Sequence, residues 1–175
     1  MVRIARVLGW IVLFTVLPLS AENPKAPDPW APWRFLVGEW LGEGGGGPGQ
    51  GTGGFSFQFD LGEKILVRKN YADYPPANGK PAYHHDDLTI LYPEGGAIKA
   101  TFFDGEGHVI RYAATASLDG KTLTWLSEAV SGTPRYRFTY EKTGADTLDL
   151  KFEIAPPDKP EAFATYIRAS ARRKK

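Results

Sequence analysis

The densest group of side chains able to bind a ligand or move a proton is His84, His85, Asp86 and Asp87. Imidazole and carboxylate serve as metal ligands, proton carriers or hydrogen-bonding groups, so their arrangement decides the chemistry. In a strand, neighbouring residues point to opposite faces, which divides the group into His84 with Asp86 and His85 with Asp87. Only one pair can face an interior. Leu88, Ile90 and Tyr92 share the parity of His84, so the apolar pattern alone leaves the inward pair open. Two ligands are too few for structural zinc, and a third would have to come from His108 on another segment, so no metal is expected.

His108 directly follows the turn Asp104-Gly105-Glu106-Gly107, and Arg111 and Tyr112 lie beyond it on opposite faces. If His108 and Tyr112 share an inner face with His85, they could hold a polar head group or act as acid and base. Otherwise His108 caps a hairpin. The sequence has no cysteine and no Gly-x-Ser-x-Gly motif, so it offers no activated nucleophile. The glycine-rich stretch 42–54 lacks the Gly-Lys-Ser/Thr ending of a phosphate loop. It reads either as a lid at a ligand's doorway or as a plain flexible connection.

The N-terminus has its own character. Arg3 and Arg6 precede an almost wholly apolar run over 7–17, and Ser20-Ala21 ends it, which is the pattern of a secretory signal peptide over 1–21. The run is shorter than the ~20 residues a spanning helix needs, so a stable membrane anchor is not expected. Periplasmic or secreted localisation follows, and without cysteine an exported chain must rely on core burial. Residues 22–32 contain Pro24, Pro27, Pro29 and Pro32, a proline-rich leader. A domain is expected over 33–169 and a solvated basic tail over 170–175. The formal net charge of +1 gives no reason to expect nucleic acid.

From Trp33 onward, short runs of period-two apolar residues alternate with turn signals. The expected strands include Phe55, Phe57, Phe59 and Leu61; Ile65, Val67 and Tyr71; 83–92; 98–103; and 108–116. Asp119-Gly120 predicts a type I′ hairpin. Strands around Trp125, Phe138 and Leu150 and a last one over 162–168 bring the total to about ten. Such a meander either packs as two sheets or closes, and closure removes the exposed edges that invite aggregation. The expected fold is all-β, an up-and-down antiparallel barrel wide enough to enclose a small ligand.

The segment FLVGEWLGEG at 35–44, with Gly38 and Trp40, resembles the first strand of lipocalin-like (calycin) bacterial barrels and, more distantly, of nitrobindin-type haem barrels. YHHDD at 83–87, TFFDGEGHVIRY at 101–112 and ATYIR at 164–168 are similar to later segments of the same group. The resemblance implies that Trp40 closes one barrel end under an arginine of the last strand, with Arg168 the candidate, and it favours His85 and Asp87 facing inward. It also implies a haem-binding histidine late in the chain, but no histidine occurs after His108 and Phe163 stands near the expected position. Haem is therefore not expected, since the iron would lack its nitrogen ligand.

The functional expectation is an exported, monomeric or weakly dimeric barrel that carries or senses a small, partly apolar molecule. His85, Asp87, His108, Arg111 and Tyr112 are the candidate ligand-orienting residues, and Gly38, Trp40 and Arg168 the closing ones. The alternative is a cofactor-independent acid–base enzyme in the same barrel, such as an isomerase, hydrolase or decarboxylase.

Overall fold

The computed structural model describes residues 27–43, 51–77, 79 and 81–175. The signal-peptide segment and the stretch 44–50 of the glycine-rich loop lie outside them. Among the described residues are ten strands: β1 (Gly38–Glu43), β2 (Thr52–Asp60), β3 (Ile65–Tyr74), β4 (Tyr83–Glu94), β5 (Ala97–Asp104), β6 (Val109–Ala116), β7 (Thr122–Ser127), β8 (Arg135–Lys142), β9 (Thr147–Ala155) and β10 (Ala164–Arg173). Each pairs antiparallel with its neighbour in sequence, and β1 pairs with β10, which closes the barrel. The all-β, ten-stranded, up-and-down expectation holds. Closure gives every strand two partners and leaves no free edge.

One end is filled by aromatic packing. Trp30, Trp33, Leu36 and Trp40 are buried there, with Leu36 on a short 3₁₀ turn (Arg34–Leu36). Trp40 Nε1 donates to the Leu36 carbonyl at 2.7 Å, and Trp30 Nε1 donates to the Glu63 carbonyl at 2.8 Å. Trp30, expected in the leader, is thus part of the plug. The β2–β3 turn that receives Trp30 runs through positive φ at Leu61 (50°), Gly62 (64°) and Glu63 (62°). The Glu63 carboxylate holds it in place through two bonds to Arg34, at 2.7 and 3.2 Å.

The cation over Trp40 is Arg173, at 4.3 Å from the ring, and not Arg168. Register decides this, because β1 pairs Trp40 with Arg173, whereas Arg168 pairs with Lys151 farther up and is exposed. Arg173 also donates to the carbonyls of Val37 (2.6 Å) and Phe35 (2.7 Å) and to Asp146 (3.0 Å). Gly38 sits beneath it at φ 121°, where an added Cβ would lie 2.9 Å from the guanidinium. The expected solvated tail is thus the end of β10. Arg172 pairs with Glu43 at 2.6 Å and Lys174 with Glu39 at 2.7 Å.

Two local expectations change. Asp119-Gly120 does not form a type I′ turn, which needs positive φ at both central residues. Only Gly120 has it (66°), and its N–H bonds Ser117 O at 2.9 Å across a longer loop. On β3 the apolar residues Ile65 and Val67 face outward, half-buried, while Leu66, Arg68 and Asn70 face in.

On the outer wall, Glu153 lies between Arg137 (2.6 Å) and Lys151 (3.3 Å). The Arg137 bond, followed by Lys151, holds its carboxyl below the ordinary value of 4.5. A lowered native pKa means that the unfolded chain binds the proton more readily. The stabilisation is therefore complete above pH 4.5 and is lost as pH falls through the native pKa. Urea midpoints measured from pH 6 downward should drop more steeply for wild type than for Glu153→Gln; parallel profiles would remove Glu153 from the acid response.

Candidate functional site

Opposite the aromatic plug, the barrel opens into a cavity of about 740 Å³. Its walls are largely rings, among them Phe55, Tyr112, Trp125, Tyr136, Phe138 and Phe152. They belong to β2, β6, β7, β8 and β9, whose period-two pattern turns alternate aromatic residues inward. Phe138 is the centre of the stack, with Trp125 at 5.6 Å, Tyr140 at 4.8 Å and Phe152 at 5.9 Å between ring centroids.

A buried ion pair crosses this apolar wall. Arg68 on β3 bonds Asp87 on β4, with side-chain exposures of 5% and 6%. The Arg68 guanidinium lies between two rings, 5.5 Å from Phe55 and 5.6 Å from Phe138. Burial alone would lower the Arg68 pKa, but the Asp87 carboxylate and the Tyr140 oxygen outweigh it and keep the guanidinium charged. Asp87 also accepts from Asn70 Nδ2 at 2.7 Å, so both its oxygens are engaged. Arg68 was not foreseen as a functional residue; its only sequence signal is a charge at the parity of Leu66 and Asn70.

His85 and Asp87 share the inward face, and His84 and Asp86 the outward one. His85 Nε2 lies 3.5 Å from Asp87, and its Nδ1 lies 3.1 Å from Glu106 on the β5–β6 turn. His84 donates to Asp73 and Asp86 on the outer surface, at 2.5 and 2.9 Å, and these contacts raise its pKa. His108 stands at the cavity rim, two-thirds exposed, and its Nδ1 bonds Asp104 at 2.7 Å. Asp104 Oδ1 accepts the backbone N–H groups of Glu106 and His108. Burial would raise the Asp104 pKa, but its bonds from His108 prevail and lower it. His108 therefore both caps the hairpin and lines the rim.

Tyr112 faces the cavity, and burial pushes its hydroxyl well above the ordinary range. Arg111 is corrected: it is exposed and points outward, since it alternates with Tyr112 along β6. The structure brings His85, Asp87, His108 and Tyr112 to one cavity and leaves Arg111 and Arg168 outside it. Phe163 also lies outside the cavity, under the Arg137 guanidinium at 4.2 Å. Asp104, Glu106 and His108 place ligand-capable atoms within 4.8 Å of one another, the one such trio among the described residues. The bonds from Asp104 to the backbone and to His108 account for that convergence.

At the floor, Arg68 Nε and Trp125 Nε1 are buried without hydrogen-bond partners, as are Thr89 Oγ1 and Tyr140 OH nearby. Each such group costs about 1–3 kcal/mol of lost hydration. A floor built this way is polar without being satisfied.

The fold and cavity define a class: a closed, ten-stranded, up-and-down antiparallel barrel with one sealed and one open end, an architecture consistent with calycin-like barrels. No protein-family model and no curated protein matches the chain.

Proposed function

We propose that the protein is an exported, non-enzymatic carrier or sensor that holds a small, partly apolar molecule inside the barrel, with His85, Asp87, His108 and Tyr112 orienting its polar part. The cavity carries this reading. It is large enough for a drug-sized ligand, predominantly apolar, and equipped with a few convergent polar groups, the usual make-up of small-molecule sites. Among the described residues no helix is long and apolar enough to cross a membrane. The outer wall exposes Lys69, Arg111, Asp149 and Arg168, charges that suit water better than lipid. Export rests on the signal-like first 21 residues, and the barrel needs no second copy to complete its cavity.

Native mass spectrometry of protein purified from its own host should show a bound small molecule that is released on denaturation. Ala169 lines the cavity on β10, and Ala169→Phe would fill part of the space. The bound mass should disappear in that variant while its far-ultraviolet circular dichroism stays unchanged. Repeated absence of any bound mass from wild type, or its persistence in Ala169→Phe, would overturn the reading.

A further inference from the structure

Among the described residues, the fully buried side-chain groups that lack a partner and belong to cavity-lining residues are both donors. Arg68 Nε and Trp125 Nε1 lack partners, and both side chains line the cavity floor. Both also lie against one ring, since the Trp125 indole stacks on Phe138 at 5.6 Å and the Arg68 guanidinium carbon lies 5.6 Å from it. The acidic acceptors are committed: Asp87 to Arg68 and Asn70, and Asp104 to His108 and two backbone N–H groups. Both N–H groups are themselves covered, so an acceptor seated against Phe138 meets them only when the Arg68 or Trp125 side chain turns towards it.

Charge narrows the ligand further. Arg68 is matched by Asp87, and both Asp104 oxygens are occupied by His108 and two backbone N–H groups, so among the described residues no lining carboxylate is left open to a cation and the lining arginine is already paired. An anion would enter past Asp104 and meet Asp87 beside Arg68. A cation would have to share Asp87 with a guanidinium. Desolvating either ion without a dedicated partner is unfavourable, whereas a neutral acceptor gains two waiting donors. Shape adds the last restriction, because walls of ring faces and edges pack best against a flat molecule.

We propose that the cavity selects an uncharged, flat, ring-containing molecule that presents a hydrogen-bond acceptor, such as a carbonyl oxygen, to Arg68 and Trp125. This rests on the reading of the barrel as a small-molecule binder. Four probes of nearly equal size test it: acetylnaphthalene, ethylnaphthalene, naphthoate and naphthylmethylammonium, all substituted at the same ring carbon. Dissociation constants come from titrations followed by ¹H–¹⁵N NMR, with the Trp125 indole signal assigned through Trp125→Phe.

Acetylnaphthalene should bind about tenfold more tightly than each of the other three, the worth of one well-placed hydrogen bond. The Trp125 indole N–H signal should move downfield with it and not with ethylnaphthalene. In Trp125→Phe, which keeps an aromatic ring in place, the preference for acetyl over ethyl should shrink by about threefold to fivefold. Equal binding of the acetyl and ethyl probes, or tightest binding of either ion, would overturn the proposal while leaving a small-molecule barrel intact. Binding of none of the four, together with no co-purifying mass, would remove the underlying reading as well.

Discussion

Asp87→Ala should lower the unfolding free energy by about 3–5 kcal/mol, because it strands the Arg68 guanidinium inside the barrel without its counter-charge. The geometry leaves Arg68 little recourse. Its side chain is 5% exposed and packed between Phe55 and Phe138, so it cannot swing out to water without opening the aromatic wall. The same substitution removes the acceptor for Asn70 and one carboxylate beside His85. Restoring neutrality should recover much of the loss: the double replacement Arg68→Met with Asp87→Leu exchanges the ion pair for apolar groups of similar reach, and such exchanges are often neutral or stabilising. Urea unfolding followed by tryptophan fluorescence measures both. A loss below about 1 kcal/mol for Asp87→Ala is the behaviour of a surface pair and would contradict the burial. The double variant, which keeps the Trp125 N–H, should also show a weaker preference of the floor for an acceptor, which separates the pair's role in recognition from its cost in stability.

The second large effect lies at the sealed end. Trp40→Ala should cost about 3–5 kcal/mol, the range for truncating a large buried aromatic, since Trp40 is 1% exposed. It stacks on Phe55 at 6.1 Å and is covered by Arg173 at 4.3 Å. Arg173→Ala tests the cover itself. It frees the carbonyls of Phe35 and Val37, and each unsatisfied buried acceptor costs about 1–3 kcal/mol. Arg168→Ala should stay within about 0.5 kcal/mol of wild type, as surface substitutions do. Thermal or urea unfolding of the two arginine variants side by side reads the contrast directly. Equal losses would mean that the register of β10 against β1 is other than described.

Those two sites show where sequence reading succeeds and where it stops. The closing role expected of Gly38 and Trp40 came from the resemblance of the first strand to lipocalin-like barrels, which a short local motif carries. The arginine that completes the closure was assigned five residues too early. The last strand was expected over 162–168, whereas β10 runs on to Arg173, with a register shift against β9 between Thr165 and Ile167. It is this added length that meets β1, which pairs with residues 170–173 alone.

The candidate site divides in the same way. His108 and Tyr112 could be picked out by type and shared parity, His85 and Asp87 by type and by the resemblance that favoured their inward face, and the barrel gathers all four. Arg111 and Tyr112 were both named although they alternate, and with Tyr112 inside, Arg111 must point outward. Arg68 and Trp125 were passed over as floor residues. On β3 the period-two reading picked out Ile65 and Val67, but these are the half-buried outer positions, with Val67 opposite Ile90 on the neighbouring strand.

From its own residues, the chain determines an all-β meander of about ten strands and an interior rich in aromatic side chains. These follow from local rules: turn residues, alternation and strand length act within a few positions of one another. Only the tertiary structure decided that Arg68 lies inside with Asp87, that Arg173 covers Trp40, and that unmet donors sit at the cavity floor. A buried charge is tolerated only when its partner arrives from another strand, and the identity of that partner depends on register across the closed sheet, which no local pattern encodes.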